Sequence, residues 1–140
     1  MPASDSMRVA TLAATILERN LPPVVATIAT RGGSVVHPAL WFRAESVHPA
    51  AWSLVDRSPG LVPLWSCGIE IAFVDADRTF PVWSAEHDQP RARFRDFAGL
   101  VQCLLTDLWA DDEPEEDRRA VAEILLPPRQ VAAALRVRRR

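Results

Sequence analysis

The sequence contains neither lysine nor tyrosine, only two cysteines, and no apolar run approaching the roughly 20 residues that span a bilayer. The last of these absences predicts no membrane helix. Cys67 and Cys103 stand outside any paired motif, which argues against a disulfide framework and fits a reducing cytoplasm. With no lysine, every basic side chain is arginine; together with abundant alanine and proline this points to GC-rich bacterial coding, an inference about source and not about function. The formal net charge of -2 is too small to set up a global field that draws in nucleic acid or membrane. The start is polar from Pro2 to Asp5 and then periodic, not continuously apolar, so no signal peptide is expected and the chain reads as cytoplasmic.

Reactive motifs are missing as well. The three histidines are far apart and none forms a pair with metal-ligand spacing, so no metal or cofactor is expected. Gly32-Gly33-Ser34 lacks the lysine and spacing of a phosphate loop, and no Gly-x-Ser-x-Gly elbow occurs. Asp75-Ala-Asp77 and Glu86-His87-Asp88 read as turn and loop chemistry, because neighbouring loop residues rarely converge on one ion.

What remains describes one domain. At 140 residues and 49% hydrophobic content, the chain buries roughly two thirds of its unfolded surface. Val9, Leu12, Ala13, Ile16 and Leu17 fall at helical spacing, with Asp5 or Ser6 as cap and Pro22-Pro23 as stop. The β-branched stretch 24–30 reads as a strand ended by Gly32-Gly33. Two similar segments, His37-Pro-Ala-Leu-Trp-Phe42 and His48-Pro-Ala-Ala-Trp-Ser53, lie eleven residues apart, and proline at the first helical position makes the second the start of a short helix, about 49–56. Leu61 to Gly68 leads to a hairpin of strands 69–75 and 79–84. In the first of these, Ile69, Ile71 and Phe73 alternate with Glu70, Ala72 and Val74, as in a half-covered antiparallel strand. Pro81 argues for an edge position or a bulge. A long amphipathic helix follows over about 91–109, with Phe94, Phe97, Ala98, Val101, Leu104, Leu105 and Leu108 as its apolar stripe. The segment 111–140 reads as a C-terminal helical extension, from Pro114 to Leu126 and from Gln130 to Arg136, ending in a solvated Arg138-Arg139-Arg140. The fold class is α+β: a small, mainly antiparallel sheet covered by helices.

Among the tryptophans, Trp65 and Trp83 are expected in the core with their N–H groups satisfied, and Trp41 at an exposed contact. Cys67 and Cys103 are expected to pack as small hydrophobes. Acidic residues gather at Asp75, Asp77, Glu86 and Asp88 and again from Asp107 to Asp117, with Asp111 and Asp112 at the centre. On one face they would make a negative patch suited to a basic partner.

The helix leading into Leu21-Pro22-Pro23, the segment Leu61-Val-Pro-Leu-Trp-Ser-Cys-Gly68 and the stretch from Phe94 to Trp109 together resemble the SUKH superfamily, domains found in bacterial immunity proteins and fungal regulators. The resemblance covers most of residues 5–109. The chain departs from that pattern in lacking an Asn-Gly turn before the hairpin and in carrying residues 111–140. The resemblance implies a compact α+β domain without an active site that binds another protein, such as a toxin enzyme. The expected function is accordingly that of a non-catalytic module masking a partner protein, with Trp41, Asp75, Asp77, Glu86, Asp88, Asp111 and Asp112 as contact residues. The alternatives are a small enzyme using Cys67 with a histidine base, and a component that self-associates through Trp41 and Phe42.

Overall fold

The computed structural model describes the backbone of residues 2–136 and the side chains from residue 7 onward; Arg138-Arg139-Arg140 lies outside the described residues. The first helix, α1, spans Pro2–Glu18. Asp5 and Ser6 therefore fall inside the helix and not at its start. The helix buries Leu12 and Ile16, and after Glu18 the chain turns at Asn20, whose φ is 60°, before Pro22.

The β-branched stretch is helical: α2 spans Pro23–Arg31. Pro23 at the start has its φ preset for a helix, and Val25, Ala26, Ile28 and Ala29 are the buried residues. That spacing places one stripe against α1 and the sheet, and burial at helical period outweighs the few tenths of a kcal/mol per residue by which β-branching disfavours a helix.

After two 3-10 turns, Gly33–Val35 and Pro38–Leu40, and helix α3 (Ala51–Arg57), the chain forms an antiparallel sheet in the order β1-β2-β3-β4. Its strands are β1 (Val62–Cys67), β2 (Glu70–Val74), β3 (Phe80–Ser84) and β4 (Ala92–Phe94). The hairpin of the sequence is thus the centre of a four-stranded meander, with Leu61 to Gly68 supplying a strand of its own. The pairing of β1 with β2 carries a bulge between Pro63 and Trp65.

Pro81 does not lie on an edge, because β3 sits between β2 and β4. The ladder with β2 stops at Ala72–Val82, so Pro81 lies beyond the point where a donor is needed. The sheet is covered on both faces. Trp65, Ala72, Val74, Phe80 and Val82 join the main core. Ile71 and Phe73 join a smaller cluster with Leu54 and Leu61, closed at its rim by Trp83. The Trp83 ring packs there, but its buried Nε1 has no hydrogen-bond partner among the described residues.

The long helix begins later than its apolar stripe suggests. Phe94 belongs to β4, and Asp96 caps α4 (Phe97–Ala110) by accepting from the Gly99 N–H at 2.8 Å. Helices α5 (Glu115–Leu125) and α6 (Pro128–Ala134) follow, and they bury Val121, Ala122, Leu125, Val131 and Ala134 in the main core. Residues 111–136 are therefore structural members of the α+β fold. Among the described residues no helix is long and apolar enough to cross a membrane.

Candidate interaction surface

The two His-Pro-Ala segments share one local device. The Ala39 N–H donates to His37 Nδ1 at 3.0 Å, and the Ala50 N–H donates to His48 Nδ1 at 3.0 Å. In each, histidine caps a turn whose next residue, proline, has no N–H to satisfy. Both imidazoles are thus tied to backbone.

The first segment presents the exposed aromatics. Leu40 and Ala44 are fully buried, and between them Trp41 is 67% exposed and Phe42 43%. Gly33 makes this loop possible. Its N–H donates to the Ala44 carbonyl at 2.7 Å, and a Cβ at Gly33 would stand 2.5 Å from that oxygen and 2.6 Å from Leu40 Cβ. Just beyond, Glu45 exchanges two backbone hydrogen bonds with Ser66, fastening the loop to β1.

Arg43 completes the surface. Its Nε and Nη2 donate to Asp111 Oδ2 and Oδ1 at 2.7 and 2.8 Å, a bidentate pair. Its guanidinium lies 5.3 Å from the Phe42 ring centroid, and the Trp41 and Phe42 centroids are 5.6 Å apart. The Arg43 hydrogen bonds hold the Asp111 carboxyl below the usual range, and the Asp111 bond in turn raises Arg43. Trp41 and Asp111, distant in sequence, line one surface recess.

The other acidic residues do not gather there. Asp75 and Asp77 occupy the β2–β3 turn, whereas Glu86 and Asp88 occupy the β3–β4 loop at the opposite end of β3. The two ends of β3 therefore keep Asp75 and Asp77 apart from Glu86 and Asp88. Asp75 is a turn-building group: it accepts from the Asp77 and Thr79 N–H groups, from the Thr79 hydroxyl and from Arg93. Burial pushes its carboxyl up, but those bonds outweigh burial and hold it below its ordinary value. Asp88 lies 3.5 Å from Arg57 at an exposed position.

Cys67 and Cys103 are both half-buried and line a small pocket between the sheet and α4, with Glu70, Arg91 and Asp107. Its volume of about 40 Å³ accommodates a few water molecules, an order of magnitude below a typical ligand pocket. Burial pushes the Cys67 thiol up and Arg43 only partly opposes it, a setting that favours the neutral thiol. No histidine lines this pocket; His87 lines the neighbouring open cleft beside Glu70 and Arg91. Asp107 is likewise pushed up by burial, against Arg43 and Arg91. Among the described residues no group of three or more His, Cys, Asp or Glu is placed to hold a metal ion.

Sequence alone singles out Trp41 and Asp111 without linking them, and it gives Arg43 and Glu113 no prominence. The neighbourhood of Arg43 to two aromatics is the one signal it offers for that residue. Compared with protein-family models, curated proteins and solved structures, the chain finds no match.

Proposed function

We propose that the chain is a non-catalytic cytoplasmic protein-binding module of the SUKH type, an immunity protein or regulator that masks a basic partner such as a nuclease toxin. The observation that carries this reading is the firmly anchored, solvent-facing Trp41–Phe42 pair beside Arg43 and Asp111. Solvent-exposed tryptophan is costly to keep in water, and tryptophan next to arginine is the side-chain chemistry that concentrates binding energy at interfaces. Asp111 and Glu113 outnumber Arg43 in the lining, an excess of negative charge that favours a basic partner surface.

The test is co-expression with the products of adjoining genes, followed by calorimetric titration of the complex. Trp41→Ala is expected to weaken binding by about 2 kcal/mol, roughly thirtyfold, with an unchanged circular dichroism spectrum. Wild-type affinity in that variant would refute the reading. Self-association through the same aromatics is the competing reading; light scattering that rises with concentration in wild type and not in Trp41→Ala would favour it instead.

A further inference from the structure

The recess beside Trp41 measures about 310 Å³ and is lined by Ala39, Trp41, Phe42, Arg43, Asp111 and Glu113. Its charges do not balance. Arg43 is neutralised by its bidentate pair with Asp111, which leaves the Glu113 carboxylate. That carboxylate makes no hydrogen bond or ion pair among the described residues, although the Glu113 backbone is fixed: its N–H donates to the Leu108 carbonyl and its carbonyl accepts from Arg118 Nε. An open indole face and an unneutralised carboxylate therefore border the same hollow.

The molecule already shows which group suits such a pair. Arg43 lies against the Phe42 ring while both arms of its fork hold Asp111. Trp41 and Glu113 line one recess, and among the described residues the Glu113 carboxylate has no ion pair, its neighbour Arg118 donating to the Glu113 backbone carbonyl instead. We infer that this recess receives one arginine side chain of the partner protein, its guanidinium stacked on the Trp41 indole and paired with the Glu113 carboxylate. This inference rests on the protein-binding reading and names the chemistry that the partner contributes. Arginine fits better than lysine because its guanidinium is planar, weakly hydrated and able to stack and pair at once, whereas an ammonium is a compact and strongly hydrated charge.

The experiment uses the full chain labelled with nitrogen-15 and titrated with N-acetyl-arginine methylamide, with the lysine and leucine methylamides as controls. The Trp41 indole N–H signal, assigned by its disappearance in Trp41→Phe, is the readout. The expected result is a saturable shift with the arginine amide, about threefold to fivefold tighter than with the lysine amide. Glu113→Gln should weaken it by about threefold, and added salt should weaken it further. A shift that never saturates, equal shifts from all three amides, or an unchanged affinity in Glu113→Gln would overturn the inference. None of these outcomes depends on a partner, so they leave the docking reading to the Trp41→Ala titration. A partner indifferent to Trp41 would defeat that reading even if the arginine amide binds.

Discussion

His37-Pro-Ala-Leu-Trp41 and His48-Pro-Ala-Ala-Trp52 start alike and end on opposite sides of the protein surface. Both histidines cap their turns through Nδ1, yet Trp52 is 8% exposed and Trp41 67%. The difference arises in the residues after each cap. Beyond His48 the chain continues as α3, which turns Trp52 inward beneath Arg8, whose guanidinium lies 5.6 Å from the ring. Beyond His37 the helix stops within one 3-10 turn, because Leu40 inserts into the core and Gly33 holds Ala44 close behind it. With Leu40 and Ala44 buried on either side of the pair, Trp41 is left at the surface against Phe42. A shared local motif fixes a turn; its neighbours decide whether the aromatic serves the core or the surface.

Substituting each tryptophan separates the two roles most widely. Trp52→Ala is expected to cost about 3 to 5 kcal/mol in urea denaturation, whereas Trp41→Ala should stay within about 0.5 kcal/mol of wild type while losing partner binding. Equal losses would erase the distinction. Gly33→Ala tests the anchor itself: the added methyl must displace Leu40 or the Ala44 carbonyl, at about 1 to 3 kcal/mol, and the Trp41 indole signal should broaden or move. Arg43→Ala removes a pair whose partners are 28% and 33% exposed, so stability should fall by no more than about 1 kcal/mol. Its larger effect should be on partner affinity, because the Phe42 face and Asp111 lose their shared support.

Acid titration sharpens a second contrast, between Asp75 and Asp107. The folded state holds the Asp75 carboxyl below its ordinary value, so its contribution is complete above that value and is lost as pH falls through the depressed folded one. Asp107 is raised, so the folded state takes up its proton first and gains stability as pH falls toward the ordinary carboxylate value. Asp75→Asn should lower stability at neutral pH and flatten the acid limb of the stability curve. Asp107→Asn should instead raise stability at neutral pH and remove the gain on mild acidification. Identical pH profiles for both variants would contradict the two environments described.

The helices whose apolar period is plain, α1 and α4, and the β2–β3 hairpin are legible in the sequence because each repeats its pattern over several turns or residue pairs, and α5 is legible from Pro114 and its acidic first turn. Stretch 24–30 misleads, since propensity is a weaker force than the burial of Val25, Ile28 and Ala29 at helical spacing. The start of α4 is hidden because Phe94 extends the apolar pattern backwards, although its backbone pairs with Phe80 in β4. Of the surface, the exposure of Trp41 can be anticipated; its union with Asp111 cannot. Sequence separation hides that contact, and the same blindness joins Asp75 to Glu86, which the two ends of β3 keep apart.

By itself, then, the sequence determined the α+β composition, the proline stops and the proline-led helix start after His48, all products of forces acting between near neighbours. Only the tertiary structure decided which acids face the aromatics, that both faces of the sheet are covered, and that Arg43 reaches Asp111. Those outcomes depend on how distant segments compete for one apolar interior, and no local period records the result of that competition.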